Sequence, residues 1–265
     1  YTALSYTWGP PLPSAAILVD GHKFQVRLNL YTFLLASAQT MDETKLRLYW
    51  IDQLCIDQND NNERATQVSI MDRIYSGASR TIIWLGTDDG IGRILGENVS
   101  DRVLELTFAH WTEEPADRLW LRSGKEVAWW RWLCTNSYWS RVWIVQEVLL
   151  SRNASIQLGV RLFSWATFRC AFYDLALTDA SFHAQPHFDL LSWLCMESGG
   201  TIQWRGGARL ESAIAMTKMQ QCQDVRDTIY ALLSLVRNGQ RIRADYSISV
   251  KTLYKKVVQR VCSGN

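Results

Sequence analysis

The alternation of large and small positions at the start of the chain predicts a strand. In YTALSYTWGPP, Tyr1 to Pro11, the residues Leu4, Tyr6 and Trp8 alternate with Ala3, Ser5 and Thr7. A period of two puts the large, mostly apolar side chains on one face and the small ones on the other. Gly9, Pro10 and Pro11 end it, because glycine relaxes the backbone and proline removes a ladder donor. AAILVDGHKFQV carries Asp20-Gly21 between two apolar stretches, the short-range signature of a hairpin. In NLYTFLLASAQTM, Leu30, Phe33, Leu34 and Ala38 fall at helical spacing and Asn29 stands where a cap belongs. LRLYWID is too short for a helix and reads as a central strand.

Gln53 to Gly86 continues the alternation of elements. Asp57, Asn59, Asp60, Asn61 and Asn62 make a polar loop whose asparagines offer oxygens to the amides of a helix start. Ala65, Val68, Met71, Tyr75 and Ala78 trace one helical stripe, and TIIWLG is a buried strand stopped by Gly86. Strand, helix, strand, helix, strand is the pattern of right-handed parallel crossovers. Residues 87–124 read as loop and irregular helix. A tryptophan-rich helix begins near Val127, a polar break falls at Asn136 and Ser137, and a second helix is predicted from about Tyr138 to Leu150. ASIQLG and VRLFSW read as a strand pair or a strand with a turn, and the chain from Ala166 on as mainly helical.

Composition narrows the function classes. Hydrophobic residues make up 48% of 265, enough for one large core. The 28 Lys and Arg against 26 Asp and Glu leave a charge of +2, too small for nucleic acid to be the main partner. Six scattered cysteines without a CxxC pair and four scattered histidines offer no metal set, and the cysteines read as reduced thiols. No apolar run approaches the roughly 20 residues that cross a bilayer, so a cytosolic location without a transmembrane segment is expected. The 13 tryptophans serve either core packing or stacking on planar ligands.

Four blocks, YTALSYTWG, YWIDQLCIDQNDNNERATQVSIMDRIYSGASRTIIWLG, SYWSRVWIVQEVLL and RDTIYALLSL, resemble in order and spacing the successive blocks of the fungal HET (heterokaryon incompatibility) domain, across nearly the whole chain. The resemblance implies non-self recognition, with incompatible cell fusion triggering programmed death and the HET domain as toxic effector. HET domains are in turn similar to TIR domains, which are flavodoxin-like. This implies a single α/β domain, a parallel sheet flanked by helices. Residues 1–86 and 127–165 would form its TIR-like core, 87–126 a helical insertion and 166–265 a mainly helical extension. In NAD-cleaving TIR domains a glutamate follows a Ser-Tyr and Ser-x-Trp segment and is catalytic. Ser137, Tyr138, Ser140, Trp143 and Glu147 fall in that order, with Ile144 where those domains carry cysteine and one extra residue before the glutamate.

Removing nicotinamide from NAD makes an oxocarbenium-like ribose, which calls for a carboxylate beside the cation and an aromatic surface for the base. Glu147 is the expected catalytic carboxylate. On one helix Trp143 and Glu147 stand i, i+4, with Trp139 a turn earlier and Tyr138 beside the start. Ligands of open parallel sheets sit beyond the carboxyl ends of the strands, so Trp8-Gly9, Asp52 to Gln58 and Gly86 to Asp88 should line one rim. Asp52 and Asp57 could accept hydrogen bonds from a ribose. No GxGxxG or P-loop is present, which leaves a pyrophosphate to helix-start amides or Arg141. No cofactor is required, and NAD enters as substrate. The structural alternatives are an ion pair of Glu147 with Arg141 or Arg152, core packing of Trp139 and Trp143, and Asp52, Asp57 and Glu63 capping helices or holding Arg64 or Arg73. Arg226 and Asp227 would fix the last helices against the sheet. The alternative function is a non-catalytic module that assembles with its own kind or with a partner protein.

Overall fold

The computed structural model describes residues 1–39, 47–87, 124–197, 209–236 and 242–262. Strand β1 (Thr2–Tyr6) leads to a two-stranded antiparallel ribbon, β2 (Ser14–Val19) and β3 (His22–Arg27), turned at Asp20 and Gly21. Both turn residues have positive φ, 49° and 79°, as a two-residue hairpin turn requires. Helix α1 (Leu28–Gln39) follows, then β4 (Tyr49–Trp50) and the single turn α2 (Asp52–Cys55). Next come α3 (Asn61–Ser69), α4 (Met71–Gly77) and β5 (Arg80–Trp84). The chain resumes with α5 (Gly124–Cys134), a 3₁₀ turn at Ser137–Ser140, α6 (Ile144–Leu149), β6 (Ala154–Leu158) and β7 (Arg161–Ser164). Helices α7 (Trp165–Thr178), α8 (Phe188–Glu197), α9 (Leu210–Met216), α10 (Asp227–Tyr230) and α11 (Val250–Cys262) complete it.

The main sheet runs β4-β1-β5-β6-β7, parallel except for the last pair. Taken in chain order its strands stand 2-1-3-4-5, the order of flavodoxin-like doubly wound sheets. The two faces of β1 explain how the helices divide. Leu4 and Tyr6, with Ile82 and Trp84 of β5, pack on Leu30 and Phe33 of α1. Ala3 on the other face meets Met71, Ile74 and Tyr75 of α4. Small side chains at Ala3 and Ser5 let α4 and α6 lie close to the sheet, and all six residues of α6 are buried. The largest cluster joins α6 to the tryptophan-rich helix and to the helical C-terminal part. Trp130, Trp139 and Phe168 are fully buried in it, Trp139 stacking on Phe168 at 5.2 Å. Burial of side chains of this size contributes about 1.5–3 kcal/mol each.

Several elements differ from the sequence pattern for visible reasons. The helix expected over Tyr138–Leu150 is split: Arg141 is extended, and its backbone forms a bridge with Gln221. The stripe from Ala65 to Ala78 breaks at Ile70 into α3 and α4. Asp60, rather than the asparagines, caps α3, accepting from the amides of Asn62 and Glu63. Asn29 lies inside α1 and does not cap it. Its Nδ2 donates to the Thr7 carbonyl at 2.5 Å and its Oδ1 accepts from Trp84 Nε1 at 2.9 Å, so one amide ties the ends of β1 and β5 to the helix. Most of the expected insertion, from residue 88 to residue 123, lies outside the described residues.

Asn29→Ala removes those bonds and leaves the indole N–H of fully buried Trp84 without its acceptor. The expected loss is about 1–3 kcal/mol, read as a lower urea midpoint with an unchanged slope.

Candidate functional site

Past the carboxyl ends of β1 and β4 lies a cavity of about 860 Å³. Its near wall comes from Trp8, Gly9, Arg27 and Asp52, its floor from Arg141, Trp143 and Glu147, and its far wall from Cys222, Asp224, Asp227 and Tyr246. Gly9 takes φ +72°, a conformation L residues rarely adopt, and so turns the chain away at the rim.

Glu147 is 2% exposed. Helix α6 brings it over the small face of β1, where Ser5 Oγ donates to its Oε2. The hydroxyl of Tyr138 stands 2.5 Å from Ser5 Oγ; with the one Ser5 proton directed at Glu147, Tyr138 donates to Ser5. On the other side, Arg141 Nη2 lies 3.6 Å from Glu147 Oε1 while its Nη1 donates to the Tyr6 carbonyl. Asp52 is half-buried; its Oδ2 accepts from Trp8 Nε1 at 2.8 Å and its Oδ1 from the Gln53 amide at 2.7 Å. The Arg27 guanidinium lies over the Trp8 ring, 4.9 Å from its centroid. Opposite, Trp143 Nε1 donates to Asp227 Oδ2 at 3.2 Å.

Burial raises the pKa of Glu147, opposed by Arg141 and the Ser5 hydrogen bond and reinforced by the charge of Asp52. Burial likewise raises Asp52, opposed by Arg141 and the Trp8 bond. Burial would lower Arg141, but Glu147 and Asp52 outweigh it and hold the guanidinium above its ordinary value. Asp227 is raised by burial against its bonds to Tyr246 and Trp143. The cavity therefore presents carboxyls poised to change charge nearer to neutrality than in water, beside two indoles: a constellation suited to general acid–base work or to stabilising a cation.

Trp8, Gly9, Asp52, Arg141, Trp143 and Glu147 are thus brought together around one cavity. Tyr138 lies behind it, buried, and reaches Glu147 only through Ser5. Asp57 is outside the lining: it is exposed, its carboxylate accepts from the Asn59 amide, and its own amide donates to Glu63. Both alternatives for Glu147 and Trp139 also appear, since Glu147 pairs with Arg141 and Trp139 packs in the core. Asp227 faces the cavity, whereas Arg226 pairs with Asp224 and donates to the carbonyls of Tyr246 and Ile248. Sequence reasoning missed Ser5 and Tyr246 as site residues and gave Asp227 only a role in fixing the last helices. Only the small residue inside an otherwise large-faced strand hinted at Ser5. Among the described residues no group of three or more His, Cys, Asp or Glu could hold a metal, and no helix is long and apolar enough to cross a membrane.

Arg141→Met leaves Glu147 buried without its cation. The expected destabilisation is about 3–5 kcal/mol at neutral pH. Because Arg141 lowers the Glu147 pKa, its loss raises that pKa further. The deficit should therefore be greatest at and above neutral pH and shrink as acid protonates Glu147. Urea midpoints of parent and variant across pH 4–8 check this.

The heterokaryon incompatibility (HET) family model matches residues 1–147, ending on Glu147. The fourth sequence block and the far wall of the cavity lie beyond that match. The chain is also 29% identical over 201 residues to heterokaryon incompatibility protein 6, OR allele, of Neurospora crassa, an alignment covering 62% of this chain and 29% of that protein. The chain thus spans under a third of the curated relative it matches. No solved structure matches it. With the family match covering more than half of its residues, the chain belongs to the heterokaryon incompatibility (HET) family.

Proposed function

We propose that this chain is an effector of fungal heterokaryon incompatibility, acting in the cytoplasm of fused cells to bring on their death by cleaving NAD or a related nucleotide. In that reaction the bond between ribose C1′ and the pyridinium nitrogen breaks. Nicotinamide leaves neutral with the bonding electrons, and water adds to C1′ and releases a proton, giving ADP-ribose. A carboxylate beside C1′ stabilises the positive charge that develops on the ribose. Glu147 takes that role, Trp8 and Trp143 offer surface to the base, and Asp52 is an acceptor for ribose hydroxyls. The observation that carries this reading is a buried glutamate lining a cavity of about 860 Å³ whose other linings include two indoles. Walls drawn from Thr7 to Tyr246 support reading residues 1–265 as one functional unit.

A second reading has one observation in its favour. Both oxygens of Glu147 are engaged, by Ser5 and by Arg141, as in a structural staple. On that reading the chain is a non-catalytic module that assembles with copies of itself or with a partner protein, and death follows from recruited machinery.

Purified chain incubated with NAD should yield nicotinamide and ADP-ribose on chromatography. Glu147→Gln should lower the rate at least about 100-fold while the chain stays folded. Toxicity of a folded Glu147→Gln variant equal to that of the parent would favour the assembly module. Since the ionised carboxylate is needed, the rate should fall on the acid side with a midpoint above the 4.5 of an ordinary glutamate. Trp8→Ala should weaken turnover more than it weakens stability; a large drop in Tm with unchanged turnover would make Trp8 a packing residue.

A further inference from the structure

The far wall of the cavity is built as deliberately as the near one. Gln221 is stitched to the 3₁₀ turn beside Arg141, its amide donating to the Ser140 carbonyl at 2.5 Å and its carbonyl accepting from the Val142 amide at 3.1 Å. From there the chain runs to Asp227, 7% exposed, which holds two aromatic residues at once. Trp143 Nε1 donates to its Oδ2 at 3.2 Å and the Tyr246 hydroxyl to its Oδ1 at 2.6 Å. Tyr246 is fixed from behind by Arg226, whose Nη1 donates to its carbonyl at 2.5 Å. Arg64 lies over the Tyr246 ring, 4.8 Å from its centroid.

The two walls repeat one device: Trp8 is held by Asp52 and Trp143 by Asp227, each indole N–H on a carboxylate, and all four residues line the same cavity. An indole whose N–H is fixed on a carboxylate keeps its ring orientation, as a stacking surface requires. The three arginines of the lining divide as clearly: Arg27 lies over the Trp8 ring and its Nη1 donates to the Gly9 carbonyl at 2.6 Å. Arg141 is engaged by the Tyr6 carbonyl and Glu147. Arg64 is half-buried in the lining and has no carboxylate within ion-pair distance among the described residues, its one side-chain bond being a long 3.4 Å contact to Asn61 Oδ1. A guanidinium stacked on an aromatic ring keeps its N–H edge free for a phosphate.

We propose that the segment after residue 220 supplies the second half of the ligand site: Asp227 is a positioning residue that sets Trp143 against the planar ring of a bound nucleotide, and Arg64, stacked on Tyr246, takes a phosphate of the same molecule. This deepens the nucleotide reading and rests on it. It makes the ligand class a phosphorylated nucleoside with an aromatic base, and moves phosphate recognition from Arg141 to Arg64.

The test measures binding by calorimetry in the Glu147→Gln background, which slows turnover, with NAD and nicotinamide riboside as probes. Arg64→Gln should weaken NAD at least about tenfold and leave the riboside, which has no phosphate, unchanged. Asp227→Ala should weaken both probes by about tenfold, and Asp227→Asn, which keeps an acceptor for Trp143, should recover most of that loss. Tyr246→Phe, the mildest change, should weaken both probes with little effect on Tm. NAD bound with parental affinity by Arg64→Gln, Asp227→Ala and Tyr246→Phe would overturn this inference and leave the nucleotide reading standing. Equal weakening of both probes by Arg64→Gln would overturn the phosphate assignment. Failure of NAD to bind even the parent chain at millimolar concentration would overturn both readings together.

Discussion

One guanidinium holds the centre of this molecule. Arg141 reaches under the end of β1, donates to the Tyr6 carbonyl and faces the Glu147 carboxylate. Burial raises the proton affinity of two carboxyls, Glu147 and Asp52, the charge of Asp52 raises Glu147 further, and Arg141 opposes the rise at both. A buried pair of this kind adds little net stability over a well-packed apolar substitute, yet removing one partner is expensive. Its value is geometric. It fixes the approach of α6 to the sheet, and with it the direction of every group on the cavity floor.

That approach depends on the smallness of one strand face. Ala3 and Ser5 leave room for α4 and α6, and Ser5 turns the space into a hydrogen bond to Glu147 backed by the buried Tyr138. The opposite face of the same strand carries Leu4 and Tyr6 and builds an ordinary apolar interface with α1. A five-residue strand thus serves packing on one side and polar chemistry on the other. The polar side chains meet because packing has already set the distance between the elements.

The parallel core was legible because its signals are local. Period-two alternation marked β1, Asp20-Gly21 marked the ribbon, and short apolar runs marked β5 and β4, although β4 is a two-residue strand at the sheet edge and not the central strand that LRLYWID suggests. The cavity floor was legible in the spacing of Trp143 and Glu147 and through the family resemblance. What could not be read was set by pairing at long range. Arg141 leaves the helical path because its backbone meets Gln221, eighty positions on, and no local propensity encodes that. Asn29 has the chemistry of a cap and works instead as a cross-tie, because Thr7 and Trp84 lie within its reach only after the sheet has formed. Asp227 and Tyr246 sit in a stretch whose pattern says only helix and loop. Their meeting with Trp143 belongs to the tertiary fold.

The bridge between Arg141 and Gln221 joins parts of the chain that leave the ribosome far apart in time. Synthesis proceeds from the first residue, and domains acquire structure as they emerge. Trp8, just past β1, is translated well before Asp227 and Tyr246, which follow it by more than two hundred positions. A nascent polypeptide therefore lacks one side of the hollow until Asp227 and Tyr246 have been made. Products truncated before Asp227 are made without the carboxylate that holds Trp143.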